Sequence, residues 1–183
     1  MYIDPVLYTG RPADKRTPAE EAIYDKLEAM GISFQRCDHD HADTMDDCLR
    51  IEEQLGSKIC KNLFLCNRQQ TDFYLFLLPG DKIFKTKFLS ARLGCSRLSF
   101  ADSEHMAEFL HTVPGSVSAL ELLFDTENRV RLIIDELLLR EEYLSFHPGL
   151  STSTVRLQRD DVFRYMEAVD HFPTIIDLPS VEE

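Results

Sequence analysis

Lys61 and Asn62 open the apolar run Lys61-Asn62-Leu63-Phe64-Leu65, so an ammonium and a carboxamide stand at the mouth of a strand. A lysine there can hold a phosphate or an ester oxygen as a point charge, and desolvation can tune its ammonium. The competing reading is an edge lysine whose stem covers apolar surface while its head stays in water. Pro114-Gly115-Ser116-Val117-Ser118 is a tight turn of small residues, where backbone N–H groups and small side chains meet a ligand at close range. Its serine follows a glycine, yet the segment lacks the G-x-S-x-G elbow, and no histidine or acid is spaced as a partner. A covalent serine mechanism is therefore disfavoured. Phe146-His147-Pro148-Gly149 holds an imidazole in a rigid, turn-prone frame. Such a histidine is either a satisfied structural group or one that positions a ligand or moves a proton. These three distant segments could converge on one pocket.

Other groups that could do chemistry carry less. Asp38-His39-Asp40-His41-Ala42-Asp43 has the composition of a divalent-ion site, but neighbours in so short a run seldom all point inward, and an acidic loop before the Thr44 cap is the simpler reading. No metal and no cofactor is expected. Cys37, Cys48, Cys60, Cys66 and Cys95 are odd in number and contain no C-x-x-C pair, which argues against a disulfide framework and a thiolate zinc site. His105, His111 and His171 have no evident partners in sequence. The formal net charge is −12 at pH 7, a poor omen for a general nucleic-acid binder. The charge is uneven, however. Between Lys58 and Arg97 the bases Lys58, Lys61, Arg68, Lys82, Lys85, Lys87, Arg92 and Arg97 face only Asp72 and Asp81. Lys82, Lys85 and Lys87 either touch a short piece of RNA or simply solvate a loop and a helix start.

The elements that must position these groups can be read from caps and periodicity. At 183 residues the chain fits one domain with a substantial core. Thr17-Pro18-Ala19-Glu20 is a capping box with proline at the first helical position, followed by the stripe Ala22, Ile23, Leu27, Met30 and a stop at Gly31. A strand over 32–37 and a helix from Thr44 to Leu55 follow, the latter ending at Gly56. Runs 62–66 and 73–78 form a hairpin of strands buried on both faces. A short helix at 87–93 closes on Gly94, 98–100 is a strand, and Asp102 or Ser103 caps a helix to Leu110. Runs 119–124 and 129–134, flanking Asp125-Thr126-Glu127-Asn128, have a second hairpin signature. A strand over 152–157 precedes a last helix over 160–169. The expected fold is a single α/β domain with a mixed, hairpin-rich sheet covered by helices on one side. No apolar run reaches the ~20 residues that cross a bilayer, and the first residues lack the basic flank and apolar stretch of a secretory signal. The expected location is the cytoplasm, with no membrane partner.

The order and spacing of the three site segments resemble those of the YbaK/ProX family, free-standing aminoacyl-tRNA editing proteins related to the editing insertion of bacterial prolyl-tRNA synthetases. The likeness runs from the Thr17 helix to the last helix, and is nearest to the branch that clears alanine from proline tRNA. It implies one editing domain over 1–183, with 1–16 and 178–183 as flanking tails. It implies that Lys61 is the residue most closely tied to deacylation and that Asn62 beside it places the substrate. Gly115, Ser116, Val117 and Ser118 would line the aminoacyl pocket, and His147 with Pro148 and Gly149 would seat the terminal adenosine. The stretch from His39 resembles the family's H-x-P-x-x-T-x-E-E motif, with His41 where proline is usual, which makes His39 part of a substrate-side loop. One departure bears on amino-acid preference: Ala119 and Leu120 stand where the family commonly has proline and phenylalanine. The implied reaction is hydrolysis of the ester of mischarged tRNA(Pro), Ala-tRNA(Pro) first, with Cys-, Ser- or Thr-tRNA or a non-catalytic binding module as alternatives. The implied partners are the tRNA(Pro) acceptor end, touched by Lys82, Lys85 and Lys87, and prolyl-tRNA synthetase; DNA is not among them.

Overall fold

Two capping boxes and left-handed residues just past the helix ends, Gly31 after the first among them, set the helices where local sequence places them. The computed structural model describes residues 1–42 and 44–181. The first strand, β1 (Tyr8–Thr9), precedes helix α1 (Pro18–Ala29), where the Thr17 hydroxyl accepts from the Glu20 N–H and the Glu20 carboxylate accepts from the Thr17 N–H. Ile23, Tyr24 and Leu27 turn inward from it at helical spacing. After β2 (Gln35–Asp38) comes α2 (Met45–Leu55), capped by the reciprocal pair Thr44 and Asp47 and ended by Gly56 in the left-handed region. The hairpin β3 (Cys60–Cys66) and β4 (Phe73–Pro79) leads to α3 (Thr86–Leu93), which stops at left-handed Gly94. Then follow β5 (Ser99–Phe100), α4 (Ser103–Leu110) capped by the Asp102 carboxylate and stopped by left-handed His111, β6 (Val130–Asp135), β7 (Tyr143–Phe146), β8 (Ser153–Gln158), α5 (Arg159–Ala168) and β9 (Thr174–Ile176).

The fold is α/β, with two sheets. The antiparallel sheet runs β1-β2-β8-β7, and the mixed sheet runs β5-β3-β4-β6-β9, with β6 parallel to both β4 and β9. Strand β4 is apolar at successive positions, and each parity meets its own core. Phe73, Leu75 and Leu77 enter the core shared with α1, α4 and α5, while Tyr74, Phe76 and Leu78 meet Leu89 of α3, Leu98 and Ile176. The mixed sheet is thus covered on both faces rather than on one, because side chains of successive strand residues point to opposite sides. A single parallel bridge between Ile59 and Ser145 ties the two sheets together. It brings the mouth of β3 beside the end of β7, and this contact builds the site.

The expected second hairpin does not form. Ala119–Phe124 is a 3-10 helix, and β6 pairs with distant β4 (Leu75 with Leu132) instead. Ser118 and Glu121 make a third capping box, which turns the chain helical where the apolar run by itself resembles a strand. The flanking segments make contacts with the body of the domain. Tyr8 and Thr9 pair with β2, Arg16 binds Asp38, and Leu178 is buried; Glu182 and Glu183 lie outside the described residues. Among the described residues, no helix is long and apolar enough to cross a membrane.

Candidate functional site

At the seam between the sheets lies a cleft of about 530 Å³ whose wall includes Lys61, Asn62, Gly115, Val117 and His147. All three chemistry-bearing segments meet there. Its volume falls in the ~300–1,000 Å³ range of small-molecule sites, and the remaining wall is mostly apolar, with Phe64 and Phe146 buried, Leu63 half-buried, and Met45, Leu49 and Phe100 exposed. Gly80 lets the β4 end close over the β3 mouth: a Cβ there would sit 2.6 Å from the Ile59 carbonyl oxygen. Gly115 holds its turn at φ +86°, a left-handed conformation that costs a glycine little.

Half-buried Lys61 donates from Nζ to the Lys82 carbonyl oxygen at 2.8 Å, its only protein partner among the described residues. The remaining ammonium hydrogens are available to a ligand. Asn62 Nδ2 donates to the Cys60 carbonyl at 2.9 Å, which fixes which end of the amide is which. Its Oδ1 is buried and has no partner. A buried acceptor left open beside a cleft is matched by a ligand N–H or O–H.

His147 is held from behind. Its Nδ1 lies 3.0 Å from the Ser153 carbonyl oxygen and 3.1 Å from Thr154 Oγ1. A carbonyl only accepts, so Nδ1 carries the proton. The Thr154 hydroxyl in turn donates to His39 Nε2 at 2.8 Å, and His39 Nδ1 donates to the Asp40 carbonyl at 2.6 Å. This chain leaves His147 Nε2 as the ring's unprotonated acceptor. Burial pushes the imidazole down to about 4, and burial likewise lowers His39. The cleft thus presents a neutral acceptor ring and the Lys61 ammonium, while the Lys58 ammonium on the same wall is paired with Asp81.

Several residues expected in the pocket stand behind its wall. His39 is buried behind His147, its ring 5.8 Å away and edge-on. Ser116 Oγ accepts from the Ser151 N–H, and Ser118 Oγ donates its one hydrogen to the His147 carbonyl at 2.9 Å and shares a second hydrogen bond with Glu121 Oε2. Gly149 donates its N–H to Glu121 Oε1 at 3.0 Å and accepts from Thr112, and Pro148 is buried beside it. Extended backbone sends alternate side chains to opposite sides, so Val117 reaches the cleft while both serines face inward. Neither serine hydroxyl is placed as a nucleophile. Nor is Cys60, whose thiol burial pushes up to about 12.

Glu121 was not singled out by sequence, although Ser118-Ala119-Leu120-Glu121 is a legible capping box. Fully buried, its carboxyl accepts from Ser118 N and Gly149 N, hydrogen-bonds Ser118 Oγ, and so clamps the two turns beside His147. Burial raises it to about 8 in spite of those hydrogen bonds. The Asp38–Asp43 cluster is pulled apart: Asp38 binds Arg16 and Arg36, His39 binds Thr154, Asp40 takes the Tyr2 N–H, and His41 meets Ser151. Asp43 lies outside the described residues, among which no three His, Cys, Asp or Glu side chains are grouped to hold a metal.

The three lysines expected to touch RNA divide. Lys82 is not on the surface: its ammonium is buried against Asp135 at 2.5 Å and the Leu178 carbonyl at 2.6 Å, which removes it from reach of a phosphate. Lys85 and Lys87 are exposed and border a shallow hollow with Arg97, and exposed Phe100 is common to that hollow and the cleft.

A sequence model of the aminoacyl-tRNA editing domain matches residues 39–165, a span that contains every cleft residue named above. The chain belongs to the aminoacyl-tRNA editing domain family. Among its relatives is the prolyl-tRNA editing protein ProX of Acetoanaerobium sticklandii, 27% identical over 150 residues that cover 82% of this chain and 92% of the relative. Another is prolyl-tRNA synthetase associated domain-containing protein 1 of Danio rerio, 28% identical over 167 residues, covering 90% of this chain and 88% of the relative. The fold is shared with a solved structure presented as a candidate trans-editing enzyme for prolyl tRNA synthetase, at a TM-score of 0.68 and 16% identity, covering 91% of this chain and 100% of that one.

Proposed function

We propose that this protein is a trans-acting deacylase that hydrolyses the ester joining a mischarged amino acid, alanine foremost, to proline tRNA. The observation that carries the reading is the convergence of Lys61, Asn62, the Gly115–Val117 turn and His147 on one largely apolar cleft, in a chain of the aminoacyl-tRNA editing family. The names of the Acetoanaerobium and zebrafish relatives, one a prolyl-tRNA editing protein and the other associated with prolyl-tRNA synthetase, support proline tRNA over other tRNAs and the synthetase as a partner. A chemical need supports it as well. A synthetase pocket built for proline rejects a smaller apolar amino acid by only ~1–3 kcal/mol, so a second site must clear the error.

An aminoacyl ester is already activated, and positioning with charge stabilisation suffices for its hydrolysis. Water adds to the ester carbonyl carbon, the carbonyl oxygen gathers negative charge beside the Lys61 ammonium, and the bond to the ribose oxygen breaks. The ribose oxygen leaves as a hydroxyl and the amino acid is released. Asn62 Oδ1 accepts from the substrate's amino group or ribose hydroxyl. His147 Nε2 accepts from the terminal ribose hydroxyl and turns that oxygen's lone pair toward the attacking water. Gly115 and Val117 bound the amino-acid side chain, while Lys85 and Lys87 lie where phosphates of the acceptor end would pass.

The test is release of amino acid from alanyl-, cysteinyl-, seryl- and prolyl-tRNA(Pro) by the purified protein. We expect alanine release, intact prolyl ester, and a loss of about 100–1,000-fold in Lys61→Ala, the range for removing a group that stabilises developing charge. Faster release of cysteine, serine or threonine would move the substrate assignment within the same reaction. Survival of every ester at high protein concentration would leave a binding module in its place.

A further inference from the structure

We propose that Lys82 and Asp135, completed by the carbonyl of Leu178, form a buried anchor that positions Lys61. Lys61 Nζ donates to the carbonyl oxygen of Lys82 at 2.8 Å, and that same residue sends its own ammonium to Asp135 Oδ2 at 2.5 Å and Leu178 O at 2.6 Å. Four segments far apart in sequence are thereby joined: the mouth of β3, the β4–α3 loop, the end of β6 and the stretch after β9. The inference rests on the role given to Lys61 above and assigns Lys82 and Asp135 as positioning residues, since neither lines the cleft.

The placement is costly enough to call for a reason. The Lys82 and Asp135 side chains are 5% and 0% exposed. An ion pair taken out of water gives back much of its Coulomb attraction as desolvation, and a well-packed apolar pair of similar volume is often as stable. What such a pair does supply is a fixed geometry. The Asp135 carboxylate is itself held, because its other oxygen accepts the Leu137 N–H at 3.0 Å. The β4–α3 loop that carries the Lys82 carbonyl has surface ties, the Asp81 carboxylate to Lys58 at 2.9 Å and Phe84 against Phe76, and the Lys82 N–H returns to the Pro79 carbonyl at 3.0 Å; the Lys82 ammonium is its fully buried polar tie to β6 and to the stretch after β9. Release of the Lys82 ammonium therefore loosens the residue whose carbonyl oxygen aims Lys61. Displacement of a reacting group by about 1 Å is enough to cost on the order of 100-fold in rate.

The experiment compares native protein with Lys82→Met, Asp135→Asn and the apolar double variant Lys82→Met/Asp135→Leu, using Leu27→Ala as a control. Leu27 is fully buried on α1 and destabilises the fold without touching the anchor. The first readout needs no activity: acetylation of the Lys61 amine by an amine-reactive ester, followed by peptide mass spectrometry across a pH series. The second is kcat and KM for alanyl-tRNA(Pro). We expect Lys61 labelling to rise about fivefold in the anchor variants, the weight of one lost hydrogen bond. We expect kcat to fall about 10–100-fold with KM little changed, and the control to match native in both. If Lys82→Met fails to fold, the double variant, which leaves no charge unpaired, decides the matter. Labelling of Lys61 at the native rate and pH profile in a folded anchor variant overturns the proposal. If the native protein hydrolyses no ester the deacylase reading fails, and the labelling still decides whether the anchor positions Lys61.

Discussion

Protonation of His147 is the perturbation whose size follows most directly from the structure. Burial holds the imidazole at about 4 against an ordinary 6.5. The folded value lies below the unfolded one, so between those limits the unfolded chain takes up the proton first. The stability that His147 contributes is therefore fully present above pH 6.5 and is lost as the pH falls toward 4. At about 1.4 kcal/mol for each tenfold change, the gap is worth about 3 kcal/mol, a large share of the 5–15 kcal/mol that holds a domain folded. Glu121 works in the opposite sense: raised from 4.5 to about 8, it loses its contribution as the pH rises through that window. The native curve alone would thus mix two slopes, and the difference between native protein and His147→Asn isolates one. Urea unfolding at half-unit steps from pH 7 to 4 should show that difference changing by about 3 kcal/mol, with the His147 Cε1 proton titrating near pH 4 by NMR. A flat difference, or a midpoint near 6.5, would refute both the burial argument and the neutral acceptor assigned to the cleft.

Three further outcomes are expected. Glu121→Gln should remove the fall in stability between pH 4.5 and 8, because it deletes the raised acid, and should cost about 1–3 kcal/mol at pH 5, because its NH2 replaces one of the two oxygens that accept from Ser118 N and Gly149 N; thermal melts across that range test both. Gly80→Ala places a Cβ 2.6 Å from the Ile59 oxygen, and urea denaturation should show a loss of about 1–3 kcal/mol together with slowed hydrolysis as the β3 mouth shifts. Lys85→Glu with Lys87→Glu should weaken tRNA binding and flatten its dependence on the logarithm of salt by about 1–2 in slope, whereas unchanged slope would remove both lysines from the tRNA path.

Much of the fold is legible in sequence because caps and turns are local. The Thr17–Glu20 and Thr44–Asp47 boxes, the Gly56 and Gly94 stops, and the Asp102 cap each satisfy backbone groups within a few residues, so the helix bounds follow from short motifs. The β3–β4 hairpin is equally local. The 3-10 helix at Ala119–Phe124 was within reach of the same rule, since Ser118 and Glu121 form a box like the other two, but the apolar run after it also reads as a strand. The parallel pairing of β6 with β4 has no such signal, because its partners lie more than fifty residues apart and meet only when the core forms.

The site divides along the same line. Sequence alone supplied the groups: an ammonium and an amide at the start of β3, a small-residue turn, and an imidazole before a proline, in an order shared with the editing family. It did not decide which atoms face the ligand. That Val117 reaches the cleft while Ser116 and Ser118 turn away depends on the bonds those serines make to Ser151, His147 and Glu121. That His147 presents Nε2 depends on Ser153 and on Thr154, whose hydroxyl links it to His39 from another sheet position. Lys82 illustrates the limit best. Its neighbours in sequence are a basic loop, but its partners are 53 and 96 residues away, and only the closed fold brings a carboxylate and a carbonyl close enough to draw the ammonium out of water. Local hydrogen bonds are written in neighbouring residues; burial and long-range pairing exist only once the chain has closed on itself.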